Sequence, residues 1–325
     1  MMTRKAGTLF AGLVAAAISA MVAVSAQAQE KKSLRVSIIP ISDVAPLFAA
    51  VKEGYFKQQG LEIDTAPTAG GAVGIPGLLA GAYDIVFTNV VSTIQARAQG
   101  LPIKIIAPGS AIGDGSQGDG GAGIVVRRGE GIKSGGDLVG KSLAVNTQKN
   151  IIWLYARAWV QKGGGDPNQV TYREVPFPQM LDALRAKRVD AAFSVEPFVT
   201  ISKGDPALEF LGSPYIAVQP NLAVAQYVAT EDFIARNPET LKRFNVALRM
   251  GIDWVNQHLT SKELHELLSS YTRIKPEMLA KMPPLQAAPG AVDVESIRKT
   301  AVLMKAHGLL TGDVDAAALL APTAR

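Results

Sequence analysis

The chain has 325 residues, 48% of them hydrophobic, with 33 basic residues, 28 acidic residues and no cysteine. This length allows one large or two medium domains with a sizeable core, and the lack of cysteine excludes disulfides and thiolate metal sites. The net charge of +5 is mild, and no run of Lys and Arg is denser than a pair such as Arg127-Arg128, so the composition gives no case for a nucleic-acid partner.

The first 28 residues have the pattern of a secretory signal peptide. Arg4 and Lys5 precede an apolar run from about residue 8 to 24, and an Ala-x-Ala motif ends at Ala28. The run is short and rich in Ala, and no stop-transfer pattern follows it, which favours cleavage near Ala28 over a membrane anchor. We expect a mature protein with a net charge of +3 that is free in the periplasm.

Residues 33–89 have the pattern of a β-α-β-α-β unit. The first strand alternates and then becomes apolar, and the next helix carries Leu47, Val51 and Tyr55 at four-residue spacing before Gly60. Two short strands and a short helix complete the unit. In chain order the segments are SLRVSII, VAPLFAAVKEGYFKQQG, LEIDT, GIPGLLAGAY and DIVFTN.

The same order of segments returns after residue 140. It is formed by KSLAVNT, NIIWLYARAWVQKGG, QVTYREV, PQMLDALRAKR and VDAAFSVEP. The third-strand junctions of the two units align at one offset of 106 residues, which pairs Ala80 with Ala186, Asp84 with Asp190, Phe87 with Phe193 and Thr88 with Ser194. A duplicated unit predicts two similar α/β lobes, each with a mostly parallel sheet flanked by helices.

Two strand-like segments are expected to cross between the lobes. GAGIVVRR follows a Gly-rich loop and is expected to cross from the first lobe to the second, and LAVAQYVATEDF is expected to return to the first. The helices after it are expected to pack on the first lobe. The expected domains are the signal peptide 1–28, a discontinuous first lobe of 33–127 plus 217–325, and a second lobe of 128–216. Ligands bind outside the carboxyl ends of strands in such sheets, so a cleft between the lobes is the expected site.

Five segments resemble the substrate-binding proteins of ABC importers in the sulfonate, taurine, nitrate and thiamine-pyrimidine group. They are APLFAAVKEGYFKQQGLEI, LLAGAYDIVFTN, GIKSGGDLVGKSLAV, LRAKRVDAAFSVEPF and TEDFIARNPET. The resemblance covers nearly the whole mature chain. It implies the two-lobed, type II periplasmic-binding-protein fold, called the Venus flytrap, with two crossover strands.

The resemblance also implies a function without catalysis. A small solute binds in the cleft, the lobes close by a hinge motion, and the closed form delivers the solute to an ABC permease and its ATPase. We therefore expect a monomeric binding protein that is not an enzyme and has no cofactor. The alternatives are an exported ligand sensor that feeds a membrane signalling protein, and a pyrimidine-synthase-like enzyme of the same fold, which relies on a Cys-rich motif.

Ser42 and Asp43 lie at the first strand-to-helix turn. One of them is expected to cap the helix, an interaction worth about 1 kcal/mol. The other is expected to face the cleft, because this turn forms part of the solute site in the family that the chain resembles. An Asp43 carboxylate bonded to helix N–H groups is compatible with an anionic solute, whereas one that lies free beside Glu196 is not.

The other candidate residues lie at strand ends and turns. Glu196 either caps the following segment or lines the cleft, as the Glu-Pro pair implies by resemblance. Thr147 and Gln148 precede a helix whose free N–H groups either hold an anionic oxygen or form a plain cap, and Gly70 and Gly71 either approach the ligand closely or form a turn. The full set of expected ligand-binding residues is Ser42, Asp43, Gly70, Gly71, Thr88, Asn89, Ser110, Thr147, Gln148, Asn150, Glu196 and Tyr215.

No catalytic residue and no metal site are predicted. GDGSQG matches the dinucleotide motif GxGxxG, but a strand rather than a helix follows it. Asp114 and Asp119 fit no EF-hand spacing, and the three His residues lack HExxH spacing.

The expected solute belongs to the sulfonate, taurine, nitrate, aromatic acid or pyrimidine class. Family frequency favours an organic anion. Two ionised carboxylates in the cleft would oppose one, since a like-charged pair 4 Å apart repels by about 4 kcal/mol at an effective dielectric constant of 20.

Overall fold

The structure, a computed structural model, describes residues 32–116 and 118–324. The predicted signal peptide lies outside the described residues. Within them, no helix combines the length and the apolar character that crossing a membrane requires.

Ten strands and thirteen α-helices organise the described chain. The strands are β1 Ser33–Ile38, β2 Glu62–Pro67, β3 Ile85–Asn89, β4 Ile103–Ile112, β5 Ala122–Arg127, β6 Ser142–Val145, β7 Thr171–Glu174, β8 Ala191–Val195, β9 Leu208–Gly212 and β10 Leu222–Thr230. The helices are α1 Ala45–Lys52, α2 Tyr55–Gln58, α3 Gly71–Leu79, α4 Val90–Ala98, α5 Ile151–Lys162, α6 Phe177–Arg185, α7 Phe198–Lys203, α8 Pro214–Val218, α9 Glu231–Arg236, α10 Pro238–Gln257, α11 Lys262–Thr272, α12 Pro276–Leu279 and α13 Val294–Ala306.

The strands form two five-stranded mixed sheets, in the orders β2-β1-β3-β10-β4 and β7-β6-β8-β5-β9. In each sheet four strands run in the same direction, and the fifth, β10 or β5, pairs antiparallel with its two neighbours. The central strands β3 and β8 are fully buried, because helices cover both faces. The predicted two-lobed α/β fold is thereby confirmed.

The duplicated aspartates play the same part in both lobes. Asp84 accepts a hydrogen bond from the backbone N–H of Arg35 at 2.8 Å, and Asp190 accepts one from that of Ser142, also at 2.8 Å. Each aspartate lies just before the third strand of its lobe and bonds the start of the first strand. In both lobes, therefore, the repeated aspartate forms the same hydrogen bond, which helps to set the register between the first and third strands, a parallel pair.

The chain passes between the sheets in the loop after β4 and in the segment 213–221. All of β5 pairs within the second sheet and all of β10 within the first, so neither strand itself spans the lobes. The boundaries of the predicted lobes stay a prediction. Because β5 belongs to the second sheet, we propose that the first boundary between the lobes lies before Ala122 and not at residue 127.

The first predicted helix, 44–60, is two helices in the structure. Gly54 adopts a φ of 74° between α1 and α2, a left-handed conformation that glycine tolerates and that ends a helix. The short helix predicted at 74–83 begins earlier, at Gly71, and includes Pro76. The pattern showed that helices were present, but it placed their ends less well.

The long C-terminal helices contact elements of the first sheet's lobe. α10 presents buried side chains that include Leu241, Phe244, Leu248 and Ile252, and it lies against α1. α13 packs against α4 and β10, and Asp293 caps it by accepting a bond from the N–H of Ser296 at 3.0 Å.

We expect Asp293→Ala to lower the free energy of unfolding by about 1 kcal/mol, because one N–H in the first turn of α13 loses its partner. Urea titration followed by circular dichroism measures the change. Lys299→Ala, an exposed position on the same helix, is the control and should change the value by less than about 0.5 kcal/mol. Equal effects of the two substitutions would contradict the capping role.

Candidate functional site

The turn after β1 contacts the second lobe directly. The N–H and the hydroxyl of Ser42 both donate to the backbone carbonyl of Glu196, each at 3.2 Å. Residues 42–44 form a 3-10 turn, and no side chain of this turn caps it or α1 among the described residues. The capping prediction for Ser42 or Asp43 is therefore wrong, because Ser42 bonds the opposite lobe instead.

Asp43 lies in the cleft. One carboxylate oxygen accepts a hydrogen bond of 2.5 Å from the hydroxyl of Ser110, at the end of β4. Burial raises the pKa of Asp43, and the bond from Ser110 only partly opposes that effect. Burial raises the pKa of Tyr215 and Tyr227, and the Asp43 carboxylate raises both further.

Glu196 is a buried carboxyl group, only 4% exposed, at the end of β8. Its oxygens accept bonds from the N–H and the hydroxyl of Thr200, each at 3.0 Å. Burial raises the pKa of Glu196 to about 7, against the lowering effect of the two Thr200 bonds. Glu196 thus bonds the first turn of α7 and also lines a cavity in the cleft, while its role in solute binding stays a prediction.

The first of two neighbouring cavities, here called the polar cavity, has a volume of about 150 Å³. Residues of both lobes line it. The loop residues 283–288, here called the strap, also line it. Asn256 of α10 holds the strap in place by bonding the N–H of Ala288 at 2.8 Å and its carbonyl at 3.2 Å. The polar groups that line this cavity include Ser42, Asp43, Ser110, Asp119, Glu196 and Lys203.

The second cavity, here called the apolar cavity, has a volume of about 50 Å³. Its wall combines the aromatic rings of Phe87, Phe177 and Tyr215 with aliphatic side chains and three Asn side chains. Asp43, Ile112, Gly120 and Gly121 line both cavities, which are therefore adjacent.

Asparagine side chains organise the second lobe's edge of the apolar cavity. Asn150 caps α5 by accepting a bond from the N–H of Trp153 at 3.1 Å, and it donates to Asn146 at 2.7 Å. Asn146 in turn donates to the carbonyl of Ala69 in the first lobe at 2.9 Å. This chain of bonds gives another direct contact between the lobes, in addition to that of Ser42 with Glu196.

Five of the predicted site residues line neither cavity. Gly71 is needed for packing, because a Cβ there would lie 2.3 Å from the hydroxyl oxygen of Thr88. Gly70 faces Asn146 and Thr147 of the other lobe, and Gln148 is exposed and bonds the carbonyl of Tyr172. Seven predicted residues do line a cavity: Ser42, Asp43, Asn89, Ser110, Asn150, Glu196 and Tyr215. The five that do not are Gly70, Gly71, Thr88, Thr147 and Gln148.

Sequence reasoning missed several lining residues. Asp119 was considered only as a metal ligand, whereas it forms an ion pair with Lys203 at the polar cavity. No local pattern marked the strap, which reaches the cavity from a loop far along the chain. Phe87 could have been found, because it belongs to the aligned third-strand junctions and precedes a predicted site residue.

Comparisons with known proteins agree with this architecture. The family model described as NMT1/THI5 like matches residues 41–259. A protein of Bacillus subtilis (strain 168), YtlA, whose name assigns it a binding role without a solute, is 22% identical over 246 residues, which are 73% of this chain and 71% of YtlA.

Two solved structures have the same fold. The alkanesulfonate-binding protein SsuA from Xanthomonas axonopodis pv. citri, bound to MOPS, superposes with a TM-score of 0.74 at 16% identity, over 90% of this chain and 99% of that one. The periplasmic nitrate-binding protein NrtA from Synechocystis PCC 6803 superposes with a TM-score of 0.73 at 16% identity, over 89% and 84%.

Proposed function

The chain belongs to the NMT1/THI5-like family, and we propose that it is a periplasmic substrate-binding protein of an ABC importer, which captures one small solute between its lobes for delivery to a membrane permease. On this proposal the chain is exported with cleavage near Ala28, acts as a monomer, and works with a permease and its ATPase. It binds the solute without changing it.

The pair of adjacent cavities between the two sheets is the observation that carries this proposal. Both lobes supply polar groups to the walls, Asp43 and Ser110 from the first and Glu196 and Asn150 from the second. A solute in contact with both lobes favours the closed arrangement, because it makes fewer contacts when the lobes separate. The volumes lie below the roughly 300–1,000 Å³ of drug-sized ligand sites, which favours a compact solute.

We expect purified mature protein to gain thermal stability from a compound in a panel of alkanesulfonates, taurine, nitrate, aromatic carboxylates, pyrimidines and small amines. At a concentration 100 times the dissociation constant, binding to the native state alone adds about 2.7 kcal/mol. Differential scanning fluorimetry measures the shift. Absence of any shift, together with chemical turnover of a test compound, would contradict the passive binding role.

Deletion of the partner permease separates transport from sensing. If the protein serves an importer, a source strain without the permease loses uptake of the solute that the purified protein binds. Uptake that persists unchanged would favour the exported sensor instead.

A further inference from the structure

The charges that line the polar cavity are unbalanced. Three carboxyl groups line it, those of Asp43, Asp119 and Glu196, whereas Lys203 is the only basic residue among the described lining residues. Lys203 forms an ion pair with Asp119 and also lies over the ring of Phe210, with its nitrogen 4.5 Å from the ring centroid. Asp43 and Glu196 thus form no ion pair with a described residue of the cavity wall, although Lys203 slightly lowers the pKa of Glu196.

Hydroxyl and backbone donors satisfy these two carboxyl groups only in part. Asp43 accepts a bond from Ser110, with smaller hydrogen-bond contributions from its own N–H and the Ser42 hydroxyl, and Glu196 receives both of its bonds from Thr200. A carboxylate has about four acceptor positions, so each group can take further donors. Burial of a carboxylate without a counter-charge is costly, which is why burial raises the pKa of both groups.

The apolar cavity adjoins the polar cavity at Asp43. Asp43 lines both cavities, so a solute that contacts this residue in the polar cavity can extend toward the rings of Phe87, Phe177 and Tyr215. Aromatic rings also attract cations through their faces. The cleft therefore offers two acceptor carboxyl groups at one end and an apolar wall at the other.

We propose that the solute is a compact organic cation, an amine or amidine, whose protonated nitrogen lies in the polar cavity that Asp43 and Glu196 line, while its apolar part occupies the apolar cavity. This inference rests on the proposed solute-binding function and names the class of solute. It replaces the organic anion expected from family frequency, because Asp43 lies free of the α1 N–H groups and shares the polar cavity with Glu196.

Compounds of matched shape and different charge test the inference on the wild-type protein. Benzamidine, benzamide and benzoate form one series, and acetamidine, acetamide and acetate form a smaller one. We expect the cation of at least one series to bind at least ten times more tightly than its neutral and anionic counterparts in titration calorimetry at pH 8. A neutral or anionic member that binds most tightly would overturn the inference and leave the solute-binding function standing. Failure of both series and of the wider panel would overturn both.

The variants Asp43→Asn and Glu196→Gln test whether the two carboxylates cause the preference for the cationic compound over the neutral one. Each should weaken binding of the cation about 30-fold or more, as loss of one partner of a buried charge pair does, and should leave the neutral counterpart unchanged or better bound. Asp64→Asn removes one exposed carboxylate from β2 and is the matched control. Equal losses of affinity for the cationic and neutral compounds would indicate a structural defect and overturn the inference. Where a variant fails to fold, the titrations of the wild-type protein with the charge series still test the inference.

Discussion

Glu196→Gln is expected to change how the stability of the protein depends on pH. The free energy of unfolding of the wild type, minus that of the variant, should fall by about 3 kcal/mol between pH 4 and pH 8. This magnitude follows from about 1.4 kcal/mol for each unit of pKa difference between the folded and unfolded states. Urea unfolding of both proteins at each pH, without solute, measures the difference.

The sign follows from the pKa of Glu196, which burial raises from 4.5 in the unfolded chain to about 7 in the folded protein. Below pH 4.5 the carboxyl is protonated in both states, and its contribution to stability is fully present. As the pH rises toward 7, only the unfolded chain ionises, and the contribution is lost; above 7 the difference is constant. Lys203 lowers this pKa and Asp119 raises it, but burial has the largest effect.

Glu62→Gln is the control, since Glu62 is an exposed residue on the edge strand β2. Its profile should run parallel to that of the wild type. The raised pKa of Asp43 acts in the same direction, but it is common to all three proteins and cancels in the difference. Parallel profiles for wild type and Glu196→Gln would show that Glu196 is not a buried, solvent-shielded acid.

Gly251→Ala should destabilise the protein by about 3 kcal/mol or more. Gly251 lies on α10, where a Cβ would be 2.1 Å from the backbone carbonyl oxygen of Pro46 and 3.0 Å from the Cβ of Ala50. A clash with backbone atoms cannot be relieved by a side-chain rotation, so the cost lies at or above the upper end of typical overpacking. α1 directly follows the turn that carries Asp43, and the substitution should also weaken solute binding.

Gly290→Ala serves as the comparison for Gly251→Ala, because no heavy atom lies within 4 Å of a Cβ built at residue 290. It should change the free energy of unfolding by less than about 0.5 kcal/mol. Chemical denaturation of both variants measures the two values. A small effect at residue 251 would mean that α10 and α1 can separate without loss of stability.

Much of the fold could be predicted from the sequence because the β-α-β-α-β unit occurs twice in the chain. The aligned Asp84 and Asp190 identify equivalent strand junctions, and each bonds the first strand of its own lobe. Periodicity also revealed the long helix α10, whose buried face repeats every three or four residues. The ends of α1 and α3 were less predictable, because a single glycine conformation decides them.

The site was only partly predictable, for a physical reason. Strand ends mark where a cleft lies, which is why the sequence could point to Asp43, Asn89 and Glu196, three residues that line the cavities. Contacts between lobes depend on residues far apart in the chain, and Ser42 bonds Glu196 instead of capping the adjacent helix. The strap reaches the cavity through the loop between α12 and α13, and no local sequence pattern indicates that.

The most direct test of the central claim is calorimetric titration with the compound that stabilises the protein most, followed by denaturation and mass spectrometry of the released compound. We expect one bound solute per chain, recovered chemically unchanged, with binding weakened about 30-fold or more by Asp43→Asn. A modified compound, or a bound compound whose affinity is unaffected by both Asp43→Asn and Glu196→Gln, would contradict it.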